Sequence, residues 1–331
     1  MSKIKAKETD SSLEKEYVRS VIKLGNSKAI TFPQGWANKA DLEERSEVYL
    51  YPLDDNSLLI RATKNKKQTL FRIDANKWPI NLIKQALISA FKLDVNEIYI
   101  KYNPKIQEDL LELLTQLRSE MIGMDFKELL ETNEYLIYFL LDTSKKKFED
   151  VLMELINTFK KIVENAIAGT PKKNNELILA EIDRKYSLAR RILITGLSEY
   201  PISKGYRNLP IIQFLGDRVV LLYVKDFINE SLTLHNFPEE IIKKYAKLLQ
   251  KIPSLLIDIV ENYDKIDLDT ISEFYNYLHN LSETLENIKK GESFEDLEIR
   301  NLIRYYLNSF QSFFDIGITR LLESEIGMTQ N

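Results

Sequence analysis

The stretch RSVIKLGNSKAITFP, residues 19–33, decides how the front of this 331-residue chain is read. Tyr17 to Leu24 is rich in strand formers, Gly25-Asn26-Ser27 tolerates a turn, and Ala29-Ile30-Thr31-Phe32 continues as a second short strand. Pro33 then opens a helical turn through Trp36 and Ala37, which Asp41-Leu42 closes. Alternate residues of a strand share a face, so Arg19 and Lys23 are expected on one side, with Lys28 beyond the turn.

Working outward, Glu47 to Pro52 and Ser57 to Arg61 read as strands flanking a hairpin loop at Asp54-Asp55-Asn56. Strands this short cannot enclose a good core in about 50 residues, and dimerisation is the natural remedy. Upstream, residues 1–14 carry charge without periodicity and are expected to be a disordered tail. Downstream, residues 66–143 change character. Leu70 to Ile73 reads as a strand, Asn81 to Phe91 as a helix, Glu97 to Tyr102 as a strand, Ile106 to Ile122 as a helix and Glu134 to Leu141 as a strand, a small α/β domain.

From residue 144 onward the pattern is helical. Six helices are expected near 145–168, 173–199, 209–231, 238–265, 268–290 and 294–325, separated by Gly, Pro and Asp signals. Gln213-Phe214-Leu215-Gly216-Asp217 leads into Val220 and Val224, and Gln311-Ser312-Phe313-Phe314-Asp315 into Ile318 and Leu322. Each Asp heads an apolar line, which predicts two tandem three-helix bundles, about 144–233 and 234–331. Phe274, Tyr275, Tyr277, Tyr305, Tyr306, Phe310, Phe313 and Phe314 read as core. The loop Pro201 to Pro210, with Lys204, Tyr206 and Arg207, reads as a connection within reach of a partner.

Composition excludes several functions. Cysteine is absent and His235 and His279 are the only histidines, so there is no disulfide, no thiol catalysis and no Cys/His zinc site. No glycine loop suits a phosphate and no Ser/His/Asp arrangement is visible, so an enzyme is not expected. No apolar run nears the roughly 20 residues of a membrane span and the N-terminus lacks a signal-peptide core, so a cytoplasmic protein is expected. The net charge of −4 is uneven, because residues 1–67 hold 13 Lys/Arg against 10 Asp/Glu. Only the front end favours a polyanion.

The order of basic strand, Gly/Asn/Ser turn, apolar-Pro, short helix with Trp36 and Leu42, then Val48-Tyr49-Leu50 and Ser57-Leu58-Leu59-Ile60, resembles the SpoVT/AbrB family over some 45 residues. The resemblance implies an interlaced homodimer, residues 15–65, whose strands form a shared swapped-hairpin β-barrel with one basic face on DNA. It makes Arg19, Lys23 and Lys28 phosphate contacts, and lets Asn26 and Ser27 add neutral hydrogen bonds. Alternatively these are solvated charges on a dimerisation module, a reading favoured by acidic Asp41, Glu43, Glu44 and Glu47.

The helical half, residues 144–331, resembles PhoU proteins at Ala180-Glu181-Ile182-Asp183-Arg184-Lys185-Tyr186, Phe214-Leu215-Gly216-Asp217-Arg218 and Phe314-Asp315-Ile316-Gly317, and the whole order resembles archaeal PhoU-like regulators. That family gathers divalent or iron ions with carboxylates four residues apart on facing helices. The resemblance makes Asp183, Gln213, Asp217, Gln311 and Asp315 the metal candidates. Gln213 and Gln311 replace the first acid, and Leu179 precedes Asp183 by four. Fewer anionic ligands mean weaker cation binding, and Asp217 and Asp315 otherwise serve as hydrogen-bonded bundle polar groups. The resemblance implies a regulator of phosphate uptake that touches itself, DNA and a phosphate transporter ATPase or signalling protein. The alternatives are a transcription factor answering an unrelated ligand, and an enzyme with a carboxylate metal site.

Overall fold

A computed structural model describes residues 17–52, 57–62, 69–143, 146–170, 175–199, 213–262, 267–289, 291 and 293–325. The tail to residue 14, the loop Asp54-Asp55-Asn56 and the segment Pro201 to Pro210 lie outside the described residues. The chain divides into two compact units, residues 1–66 and 67–331. Among the described residues no helix is long and apolar enough to cross a membrane.

In the first unit β1 (Ile22–Leu24) pairs antiparallel with β2 (Ser27–Ala29), α1 spans Gln34–Lys39, and β3 (Tyr49–Pro52) pairs antiparallel with β4 (Leu58–Arg61). The turn is tighter than the sequence suggests. Gly25 takes φ +60° at the first position of a two-residue loop, as a type II′ turn requires, and Ser27 already belongs to β2. Asp41, also at positive φ, ends the turn that follows α1, and the Leu42 N–H reaches back to the Ala37 carbonyl at 3.0 Å. The expected β-barrel is not closed within one chain: among the described residues the two hairpins are separate two-stranded sheets. Two short ladders offer too few strands to curl into a cylinder.

The second unit begins with a four-stranded sheet of β5 (Leu70–Asp74), β6 (Glu97–Lys101), β7 (Met124–Leu129) and β8 (Glu134–Phe139), in the order β5-β6-β8-β7. β5 and β6 run parallel, because α2 (Ile80–Lys92) supplies the crossover between them, and the other neighbours are antiparallel. Ile73, Ile98, Ile100, Tyr135 and Ile137 pack with Ile83 and Leu87 of α2 and with Leu110, Leu114 and Leu117 of α3 (Gln107–Glu120). The sequence reading left β7 unassigned. Met124 and Phe126 alternate as a strand demands, but Glu128 follows on the same side. That carboxylate accepts hydrogen bonds from the Tyr102 hydroxyl and, at 2.8 Å, from Gln107.

Among the described residues six long helices follow: α4 (Phe148–Ile167), α5 (Asn175–Glu199), α6 (Gln213–Ser231), α7 (Glu239–Asn262), α8 (Leu268–Asn287) and α9 (Phe294–Glu325), with a 3-10 turn at Leu232–Asn236. They share one continuous hydrophobic core rather than two. Contacts join α4, α5 and α6 pairwise, join α7, α8 and α9 pairwise, and link α4 to α7 and α6 to α9. Asp267 caps α8 by accepting the Thr270 N–H at 2.7 Å, and Ser293 caps α9 by accepting the Asp296 N–H at 3.1 Å. Of the aromatic series expected as core, Tyr306, Phe310, Phe313 and Phe314 are buried and Phe274 is partly buried, whereas Tyr275, Tyr277 and Tyr305 are exposed.

A buried ion pair ties the sheet layer to the helices. Arg191 of α5 is 3% exposed, pairs with buried Asp94 at 2.8 Å, and donates to the Phe91 and Val95 carbonyls at 3.0 and 3.4 Å. Its guanidinium lies over the rings of Phe91 and Phe139, 5.0 and 4.9 Å from their centroids. Burial lowers the pKa of Arg191, and the Asp94 charge opposes that shift. Replacing Arg191 by Met strands a buried carboxylate and is expected to cost about 3–5 kcal/mol in urea unfolding. Combined with Asp94→Asn, the loss should fall short of the sum of the single losses; strictly additive losses would show that the two groups are not coupled.

Candidate functional site

The β1-β2 register sets Lys23 directly opposite Lys28, between the pairs Ile22–Ala29 and Leu24–Ser27. In a two-residue hairpin the pair closing the loop is hydrogen-bonded, so the next pair is the kind in which side chains stand closest. Like charges placed so are destabilising unless something anionic joins them. Among the described residues neither lysine has an ion-pair partner, and both are exposed, as are Asn26 in the loop and Ser27 at the start of β2. Arg19 departs from expectation: the ladder begins at Ile22, so strand alternation does not place it beside Lys23. It leans on the Tyr17 ring, 5.6 Å from the centroid, at the rim of a groove of about 420 Å³ that includes Phe32, Trp36, Leu58 and Ile60.

The opposite face of the hairpin is apolar and uncovered. Ile22 and Leu24 are 51% and 68% exposed, and no described residue between 17 and 62 is buried. A hairpin in that condition is at best marginally stable in water.

In the helical half the expected ligands do not gather. Asp183 of α5 is exposed and pairs with Lys225 of α6 at 2.7 Å. Asp217 is buried and pairs with buried Arg320 of α9 at 2.5 Å, and Arg320 also donates to the Gln213 carbonyl at 3.3 Å. Gln311 and Asp315 lie on the outside of α9, where Asp315 meets the Thr319 hydroxyl only through its carbonyl oxygen, at 2.7 Å. Among the described residues no three His, Cys, Asp or Glu side chains stand close enough to share a metal ion. Asp217 and Asp315 are therefore not equivalent. Val220 and Val224 below Asp217 are core, whereas Ile318 and Leu322 below Asp315 are exposed. The inward line of α9 is Phe313, Gly317 and Arg320, and a cation ending an apolar line was the legible sign of a buried ion pair that the sequence reading passed over.

A groove of about 920 Å³ runs between α4 and α5, bordered by Asn157, Lys161, Asn165, Ile178, Lys185 and His235. Lys185 is held there by Glu154 at 3.1 Å and Glu181 at 3.7 Å. Comparison of the chain with protein-family models, with curated proteins and with solved structures finds no match.

Asp217→Asn removes the charge facing buried Arg320 and is expected to cost about 3–5 kcal/mol of stability, whereas Asp315→Asn on the outer face should change it by less than about 0.5 kcal/mol. Urea unfolding of the two variants checks this, and equal losses would refute the inequivalence.

Proposed function

We propose that the chain is a non-catalytic regulator that binds DNA as a homodimer through residues 17–62 and carries a PhoU-like sensing region in α4–α9. The observation that carries the DNA reading is the Lys23–Lys28 pair. Two unneutralised cations held face to face suit a row of phosphates and oppose folding without one. The exposed apolar side of the same hairpin supports a second copy, whose strands would complete the shared barrel of a SpoVT/AbrB-type dimer. Asn26 in the loop would then border the DNA-facing surface, whereas Ser27 pairs with Leu24 on the apolar side.

The helical contacts support the tandem reading. Helices in equivalent places meet, α4 with α7 and α6 with α9, as in two related three-helix units joined about an approximate two-fold axis. Phosphate enters through the resemblance at residues 180–186, 214–218 and 314–317, with a phosphate transporter ATPase or signalling protein as the cytoplasmic partner. The α4-α5 groove favours a second reading, in which the same DNA-binding dimer answers a small organic effector unrelated to phosphate.

Gel-shift titration with genomic DNA across a salt series tests the first part. Each phosphate contact contributes about 0.9 to the slope of log K against log salt, so replacing Lys23 and Lys28 by Gln in both copies should flatten it by roughly 3 to 4. No retardation of the wild-type chain, or an unchanged slope, overturns DNA binding. Unaltered phosphate uptake in a deletion strain at low and high phosphate overturns the phosphate assignment.

A further inference from the structure

Helix α6 is fully used on one side and unmatched on the other. Inward, Asp217, Val220, Val224 and Ile228 are buried. Outward, Leu215, Val219 and Leu222 recur at spacings of four and three and are 63%, 40% and 47% exposed. Such spacing draws a straight stripe along a helix, and a stripe of this kind is what a second helix covers. Ile318 and Leu322 of α9, the neighbour held to α6 by the Arg320–Asp217 pair, are also exposed.

The charges along the stripe indicate what covers it. Arg218 stands four residues before Leu222 and Asp226 four after it. Among the described residues neither makes an ion pair or a side-chain hydrogen bond. Asp226 is partly buried; burial raises its carboxyl pKa, and neighbouring Lys225 only partly offsets this. The two opposite charges are thus symmetric about Leu222. An antiparallel pairing of two α6 helices centred there sets Arg218 against Asp226 of the partner subunit, twice over. Centring on Val219 would put Arg218 opposite a valine, and parallel helices would put like charge on like. We infer that the outer face of α6 is a two-fold interface with a second copy of this chain, closed by Leu222 at the axis and by two Arg218–Asp226 pairs. An isologous patch must be self-complementary in this way. The interface is independent of the one proposed for residues 17–62, and gives the chain two self-associating surfaces.

The cysteine-free sequence makes the test direct, since one introduced thiol is the only one present. In full-length Leu222→Cys the two thiols meet at the axis, and mild oxidation should yield a covalent dimer. In Leu215→Cys the site is more exposed, but its symmetry mate lies about 21 Å away at 1.5 Å rise per residue, so linkage should be at least about tenfold slower. In the Leu222→Cys background, Arg218→Asp or Asp226→Arg alone should cut linkage about tenfold, and the two together should restore it. Linkage of Leu222→Cys no faster than of Leu215→Cys overturns the proposal, as it would if α6 served a different protein. So does failure of the charge swap to restore linkage while circular dichroism reports an intact fold. A chain that pairs only through residues 17–62 shifts DNA normally yet leaves Leu222→Cys unlinked, so the two readings fail separately.

Discussion

The buried guanidinium of Arg191 is the interaction on which the larger unit depends. A desolvated cation is tolerated only when its donors and charge are matched, and the matching groups come from the far layer: Asp94 and the Phe91 and Val95 carbonyls, at the end of α2. Asp94 reaches that position because it leaves α2 at φ +58°, a conformation an acidic residue tolerates better than most. Sheet layer and helices cannot part without exposing Phe91 and Phe139 and stranding opposite charges in an apolar setting. With the contacts of α2 and α3 against α5, the joint makes residues 67–331 one compact unit although their sequence reads as a small α/β domain followed by a separate helical one. It also gives α5 two duties, since the helix that lines the α4-α5 groove with Ile178 and Lys185 carries the joint to the sheet one and a half turns further on.

The first unit follows the opposite rule. Its apolar residues alternate correctly along β1 and β2, and among the described residues Ile22 and Leu24 stand exposed. Local pattern and turn chemistry are enough to make the hairpins, but not to enclose them, because a unit of this size has too much surface for its volume. In the dimer proposed above a second copy would supply the missing layer, and the lysine face would be left for a polyanion.

Most of the helical architecture was legible because a periodic apolar stripe over 20 residues or more is a strong signal, and Asp267 and Ser293 cap α8 and α9 where the expected helices begin. Strand β7 was not, since Glu128 interrupts its apolar side and only the distant Tyr102 and Gln107 explain why that is tolerable. The site was less legible than the fold. A Gln-x-x-x-Asp spacing says that two side chains share a helix face; it does not say whether the face looks inward. Asp217 and Asp315 occur in similar strings and end on opposite sides of their helices, and what separates them is Arg320, 103 residues from the carboxylate it neutralises.

Helix α6 shows how far charge matching can be followed once that distinction is made. Its inner carboxylate, Asp217, has found a guanidinium inside the chain. Its outer one, Asp226, sits partly buried beside apolar side chains that a folded monomer leaves in water. Desolvation disfavours that charge until an opposite charge approaches, and Arg218, two turns along the same helix, is too far away to turn back to it. A second α6 in the antiparallel sense would remove the mismatch for both helices at once. On the proposed two-fold pairing, a site complementary to itself would carry its partner's identity in its own sequence.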